Sequence, residues 1–229
     1  MEHINKILNA CDSGEQRSAE WFKKRENFLT SSDLGSVLGF NKFKSREEVL
    51  QTKAGVKPKK KIDNCEAIQH GHKYESEAID VYCSLTNRKC FEVGLVSYAS
   101  MHENSVVDQI DCSFLAGSAD GITCLYDDQE KAWSVNVLEV KSPFRRWPKY
   151  GNIPEYYYPQ LQMNLHILDV EFGDYIEYWP AGLQGASPKM NVVRIYKDDQ
   201  WFRGVIPELR LFWDEVQELK NKHNDNKTC

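Results

Sequence analysis

Apolar positions along this chain change period several times, and each change marks an element. Ser18 is placed to cap a short helix ending near Arg25, with Trp21 and Phe22 buried. The run from Leu29 through Ser32 and Asp33 then restarts the chain as a helix through Leu34, Val37 and Leu38, ending at Gly39. Residues 45–54 form another short helix stopped by Gly55, and Val56 to Lys61 is a polar, lysine-rich, mobile loop. From Lys73 to Leu85, Tyr74, Ala78, Ile79, Val81, Tyr82 and Leu85 recur at helical spacing, which predicts a longer amphipathic helix. The middle reads as strands over 90–98, 112–119, 121–126 and 133–141, with Asp127 and Asp128 supplying a hairpin turn. Residues 154–168 read as a helix whose proper start is Pro159, because a proline fits the first turn and not the interior. Strands near 172–179 and 190–196 flank a turn at Gly182 to Gly185. A final helix runs from Asp198 to Lys222, before a frayed tail at 224–229. This order of helices, mixed strands, helix, strands and helix predicts a single α/β domain over 1–229.

Size and composition narrow the class. A chain of 229 residues with 41% hydrophobic and 28% charged residues fits one packed globular core. No apolar run approaches the roughly 18 residues of a membrane span, and the first residues lack the apolar core of a signal peptide. Seven cysteines, odd in number and without a Cys-x-x-Cys pair, read as reduced thiols of an intracellular, unsecreted protein. A second Cys/His pair is missing at ligand spacing from His70-Gly-His72, which argues against a zinc site. The net charge of −5 is mildly against a nucleic-acid binder. Two basic clusters offset it: Lys57, Lys59, Lys60 and Lys61, and Lys141, Arg145, Arg146 and Lys149 around Trp147.

The chemistry concentrates between Gly117 and Lys141. Asp120 precedes Glu139 by 19 residues, and Glu139-Val140-Lys141 ends an apolar strand. Alternation puts Glu139 and Lys141 on one face, roughly 6–7 Å apart. Glu-x-Lys alone is weak, and its plain alternative is a salt-bridged surface strand. Val135, Val137, Leu138 and Val140 make this strand apolar enough to be central, where charges need a reason. Gln160 follows Lys141 by 19 residues, on the next helix. Asp120 and Glu139 can ligate one or two Mg²⁺, the Val140 carbonyl can complete the shell, and Lys141 can stabilise charge on a phosphodiester under attack. Mn²⁺ should substitute, and Ca²⁺ should bind without good turnover.

In order along the chain stand Trp21-Phe-Lys-Lys-Arg25 with Leu29-Thr-Ser-Ser32-Asp33, Gly71-His-Lys-Tyr-Glu75, Ser118-Ala-Asp120-Gly, Leu138-Glu139-Val-Lys141-Ser-Pro, and Tyr157-Tyr-Pro-Gln160-Leu-Gln162. This ordered set resembles the PD-(D/E)xK nuclease superfamily and, within it, the YqaJ-type viral recombinase family that includes bacteriophage lambda exonuclease. The resemblance implies a restriction-endonuclease-like α/β core, a mixed central sheet flanked by helices. It implies a Mg²⁺-dependent 5′→3′ exonuclease on double-stranded DNA ends, leaving 3′ tails for a single-strand annealing partner, with a viral or prophage origin. It also implies a homo-oligomer, a trimer in the family. Glu75, which alone reads as a solvated helix residue, becomes a metal ligand, direct or through water. Arg25 and Ser32 become a pocket for the 5′-phosphate, Gln160 orients Lys141 or the attacking water, and Tyr157 contacts DNA near the scissile phosphate. Arg145, Arg146 and Trp147 are unusually basic and aromatic for the family; Trp147 either stacks on a terminal base pair or is a partly buried lid. Some relatives carry an iron–sulfur cluster on grouped cysteines, whereas Cys229 stands alone, so none is expected. An endonuclease of the same superfamily and a non-catalytic DNA-binding module are the alternatives.

Overall fold

The structure, a computed structural model, describes residues 1–12, 16–58, 65–147, 149–182 and 187–228. Lys59 to Lys61, Leu183 to Gly185 and Cys229 lie outside the described residues. The chain opens on α1 (Glu2–Ala10), a helix with no counterpart in the sequence-based expectations, which buries Ile4 and Ile7. In α2 (Ala19–Arg25) the Ser18 hydroxyl accepts from the Trp21 amide at 3.1 Å, as its position before the helix predicts. The expected burial of Trp21 and Phe22 is wrong: Trp21 is half-buried and Phe22 is 40% exposed. A seven-residue helix lying on the surface has no inner face to hide them, and Trp21 is covered instead by the Arg25 guanidinium at 4.3 Å.

The helix expected from Leu29 begins as strand β1 (Leu29–Thr30), because these two residues pair in parallel with Leu115 and Ala116. A 3₁₀ turn over Ser31–Asp33 then leads into α3 (Leu34–Val37). Next, α4 (Arg46–Lys53) starts on a capping box in which Ser45 and Glu48 each satisfy the other's backbone N–H. Helix α5 (Glu66–Thr86) begins at Glu66 rather than Lys73, since its first two turns are polar and carry no apolar period. The expected strand over 90–98 is two strands, β2 (Lys89–Phe91) and β3 (Val96–Ser97), which belong to different sheets. Short α6 (Tyr98–Met101) follows, then a small hairpin of β4 (Val106–Val107) and β5 (Ile110–Asp111). Asp108 and Gln109 turn that hairpin with φ of 47° and 70°, so no glycine signals it in sequence. The strand expected over 112–119 shortens to β6 (Leu115–Gly117).

β7 (Gly121–Asp127) and β8 (Ala132–Lys141) form the expected hairpin, with Asp127 Oδ1 accepting from the amides of Gln129 and Glu130 at 2.8 and 3.1 Å. Helix α7 (Tyr158–Leu168) does take Pro159 in its first turn. β9 (Phe172–Trp179) and β10 (Lys189–Tyr196) complete the strands, and α8 (Asp199–Thr228) stays helical over 224–228, the described part of the tail expected to fray.

Five strands make a mixed sheet in the order β10-β9-β8-β7-β2, and β1-β6-β3 make a smaller one. β8 is central, antiparallel to β7 and parallel to β9. One face packs Leu138 and Val140 with Ile176 and Tyr178 against Ala78 and Tyr82 of α5. The other carries Val137 against Leu161 and Leu165 of α7, which contacts both sheets and buries nine of its eleven residues. The fold is therefore the expected α/β core with a mixed central sheet flanked by helices. Among the described residues no helix is long and apolar enough to cross a membrane.

Candidate active site

The alternation that sends Leu138 and Val140 to α5 sends Glu139 and Lys141 toward α7. Glu139 is 0% exposed, as the central-strand reading requires. Its Oε1 accepts from the Lys141 ammonium and from Gln160 Nε2 at 2.6 Å, while Asn164 Nδ2 approaches Oε2 at 3.4 Å. Gln160 thus holds Glu139, the same oxygen that Lys141 holds. Burial pushes the Glu139 carboxyl up to about 8, with Lys141 opposing and the charges of Asp120 and Glu75 adding to the rise. Burial alone would lower the Lys141 ammonium. The carboxylates of Glu139 and Asp120 outweigh it and keep the lysine charged, well above its ordinary value.

Asp120 sits where the chain leaves the small sheet at β6 and enters the large one at β7. Its amide donates to the Leu138 carbonyl at 3.2 Å, and its Oδ2 accepts from the Val140 amide at 2.7 Å and lies 3.7 Å from Lys141 Nζ. This clamp fixes one carboxylate beside the last turn of β8. Glu75 comes from the α5 side, and both its oxygens accept from Arg17 Nη2 at 2.7 and 2.6 Å. Burial and Asp120 raise the Glu75 carboxyl, and Arg17 pulls it back.

Asp120, Glu75, Val140 and Lys141 open into a cleft of about 650 Å³, and Glu139 lies beneath its floor. Among the described residues, no three His, Cys, Asp or Glu side chains are already gathered as a metal cage. Each carboxylate is engaged by a protein donor: Glu139 by Lys141 and Gln160, Glu75 by Arg17, Asp120 by a backbone amide. The donor chemistry still fits a hard divalent cation, since three carboxylates and the Val140 carbonyl offer oxygen alone.

Beyond β8, Ser142 to Arg146 and then Tyr156 and Tyr157 border the cleft. Arg145 and Tyr157 line it, with Lys141 Nζ 5.2 Å from the centre of the Tyr157 ring. Burial pushes the Tyr157 hydroxyl up to about 12, so it enters any neutral-pH chemistry protonated. Arg146 also borders the cleft but ion-pairs with buried Glu177, which accepts from Nη1 at 3.0 Å and from Nη2. Trp147 stacks on buried Trp179 at 4.5 Å, lies under Lys189 Nζ at 4.2 Å and stays 42% exposed.

Arg25 and Ser32 stand together elsewhere. Arg25 Nη2 donates to Ser32 Oγ at 2.6 Å and Thr30 Oγ1 at 3.1 Å, at the mouth of a second cavity of about 480 Å³. Asp33 beneath it accepts from Thr30 at 2.6 Å and pairs with Lys44 and Lys53 at 3.3 and 3.1 Å. Burial would raise the Asp33 carboxyl, yet Lys53 and Lys44 hold it far below the carboxylate range. Two carboxylates, Asp33 and Glu26, line this cavity beside Arg25, Lys44, Lys53, Lys57 and Lys220, which leaves surplus positive charge and suits an anion. Lys44 lines this cavity and its neighbour Phe43 lines the carboxylate cleft, so one loop separates the two.

The sequence reading gave no place in the site to Arg17, His72, Phe43 or Tyr156, all of which line the cleft. Only Phe43 carried a signal, an aromatic residue between Lys42 and Lys44, and it is 82% exposed.

Residues 20–171 match the model of the YqaJ-like viral recombinase domain. An uncharacterised protein of Acanthamoeba polyphaga mimivirus is 29% identical over 180 residues, spanning 75% of this chain and 30% of its own length. A protein of African swine fever virus (strain Badajoz 1971 Vero-adapted) is 29% identical over 194 residues, spanning 72% of this chain and 50% of its own. The chain thus spans half or less of the length of these relatives. An alkaline exonuclease from Laribacter hongkongensis superposes with a TM-score of 0.68 at 22% identity, over 93% of this chain and 100% of that one. At that identity the likeness establishes the fold.

Proposed function

We propose that this chain, which belongs to the YqaJ-like viral recombinase domain family, is a Mg²⁺-dependent deoxyribonuclease that resects double-stranded DNA from a 5′-phosphorylated end toward 3′. The observation that carries the reading is Glu139, fully buried at the centre of the sheet and ion-paired to Lys141, which lines a cleft that Asp120 and Glu75 also reach. A surface salt bridge would not be sealed under a helix whose polar side chains turn to meet it.

In this reading Asp120, Glu139, the Val140 carbonyl and Glu75 hold one or two Mg²⁺, and Mn²⁺ substitutes. The cation supplies Lewis-acid polarisation of the scissile phosphate and lowers the pKa of attacking water. Lys141, kept charged by its neighbours, offsets negative charge as it grows on phosphorus. Gln160 donates to the Glu139 oxygen that Lys141 also holds, and so fixes the rotamer of that carboxylate. Tyr157, Arg145 and Arg146 flank the strand path, and Trp147 stacks near a terminal base pair. Arg25 and Ser32 receive the terminal 5′-phosphate, which makes the enzyme end-specific. The product, a 3′ single-stranded tail, suits a recombination or repair step with an annealing protein inside an infected cell. The family likeness suggests a trimer around the duplex.

The test digests end-labelled linear duplexes bearing 5′-phosphate or 5′-hydroxyl, and a covalently closed circle, with Mg²⁺. Wild type should degrade the 5′-phosphorylated linear substrate. Lys141→Ala should lose roughly 10²–10³ in rate, as expected for removing a group that stabilises transition-state charge, while still binding DNA in Ca²⁺. Arg25→Ala should lose most on 5′-phosphorylated ends and little on 5′-hydroxyl ends. Cutting of the closed circle would make the protein an endonuclease. Cleavage that persists in Lys141→Ala would remove the proposed site.

A further inference from the structure

Arg17 is a cleft cation that the proposed chemistry leaves unused. Its guanidinium contacts both oxygens of Glu75 at 2.7 and 2.6 Å, and its side chain is 38% exposed. The backbone around it is pinned on both sides. Gln16 Nε2 donates to the carbonyls of Val93 at 2.5 Å and Ala119 at 3.2 Å, and the Ser18 hydroxyl caps α2. Ala119 immediately precedes Asp120, so Gln16 ties Arg17 to the same corner as both carboxylates. Arg17 itself sits at φ 68°, a conformation a side-chain-bearing residue keeps only when its surroundings impose it. The fold therefore fixes where this arginine starts and leaves its long side chain free to turn within the cleft.

A guanidinium gripping both oxygens of Glu75 and a divalent cation on that carboxylate compete for the same charge. As a cation arrives, repulsion drives the guanidinium off. The geometry it has just used on a carboxylate suits a phosphate equally well. We propose that Arg17 is an exchangeable counter-ion: it neutralises Glu75 until a divalent cation takes that carboxylate, and its guanidinium then passes to a non-bridging phosphate oxygen of DNA in the cleft. The inference rests on the nuclease reading of that cleft. It links the two ligands, because a cation frees the arginine for DNA and DNA draws the arginine away from Glu75. Such coupling is reciprocal.

The experiment titrates Ca²⁺ into wild type, Arg17→Ala and Arg17→Lys by calorimetry without DNA, then measures binding of a 5′-phosphorylated duplex in Ca²⁺ across a salt series. Arg17→Ala should bind Ca²⁺ tighter by roughly two- to fivefold, the strength of a partly exposed ion pair. The same variant should bind DNA roughly tenfold more weakly, as for one lost charge-assisted contact, and its salt slope should fall by about one. Arg17→Lys keeps the charge on a shorter side chain that reaches Glu75 less well, so its salt slope should stay near wild type while its Ca²⁺ affinity rises. Circular dichroism and thermal melts establish that each variant folds, and the lysine variant carries the test if the alanine variant does not.

Ca²⁺ binding that is unchanged or weaker in both variants would overturn the exchange, and so would unchanged DNA affinity. A wild type that binds Ca²⁺ and cuts DNA beside such variants overturns this inference alone. A wild type that binds no divalent cation overturns the inference and the nuclease reading together.

Discussion

Glu139 has no route to water, so every favourable contact it makes comes from three side chains. Lys141 supplies the charge, Gln160 the short hydrogen bond, and Asn164 a longer one at 3.4 Å. Burial still wins enough to raise the carboxyl to about 8. Gln160→Ala should therefore show in two readouts. Loss of a bond to a charged group costs about 1.5–3 kcal/mol, which for a chain of this size lowers the melting temperature by several degrees. Divalent-cation affinity should fall about tenfold, the usual effect of removing a group that orients a ligand. Asn164 cannot take over, because it already donates to the other oxygen. Calorimetric Ca²⁺ titration and a thermal melt check both; a variant with wild-type affinity would mean that Gln160 merely fills space.

At the scale of elements, the segment after β8 shows how a loop is aimed. Glu177 on β9, fully buried, accepts from Arg146, from the Tyr175 hydroxyl at 2.8 Å and from the Lys149 amide at 3.1 Å. Asn191 on β10 accepts from the Gly151 amide at 2.9 Å and donates to the Asn152 carbonyl at 3.3 Å. Two strands thus stitch down the stretch that carries Arg145 and Trp147. Glu177→Gln should cost about 1–3 kcal/mol, less than a wholly buried pair because Arg146 can turn to water. Amide exchange at 149–152 should speed up and DNA binding weaken. Unaltered exchange there would show that Asn191 and the stack of Trp147 on Trp179 hold the loop without Glu177. None of this was readable in the sequence, because Glu177 follows Arg146 by 31 residues and no local pattern joins them. What was readable lay on single elements. The apolar run around Glu139 marked a central strand, and its two charges were conspicuous for that reason. The strand over 90–98 failed at Gly94, where a side chain would meet the Asp12 carbonyl at 2.8 Å, a contact that only tertiary structure reveals. Arg17 was invisible for the same reason: its meaning depends on Glu75, 58 residues away.

The whole molecule is organised around α7, which contacts both sheets and carries Gln160 and Asn164 to Glu139. Its far end is sealed by α8, where the buried His166 ring stacks on Phe202 at 4.1 Å and one ring nitrogen lies 3.1 Å from the Asp198 carbonyl. Burial drops this imidazole from its ordinary 6.5 to about 4. The unfolded chain therefore takes up a proton near 6.5 that the folded chain refuses until about 4. Between those values the unfolded state binds more protons, so this contribution is complete above 6.5 and is lost as the pH falls toward 4. At about 1.36 kcal/mol per pH unit, the full loss is roughly 3 kcal/mol. Other groups titrate in the same range, and the raised Glu139 carboxyl acts in the opposite direction, so the whole curve does not isolate the histidine. The difference from His166→Gln does. That variant should be less stable than wild type at pH 7.5, because the stacked ring is gone. Its deficit should shrink by roughly 2 kcal/mol at pH 5.0, where wild type carries the penalty and glutamine has no proton to refuse. Urea unfolding at the two pH values measures both gaps, and a deficit equal at pH 7.5 and 5.0 would show that the ring gains its proton without opening the joint between α7 and α8.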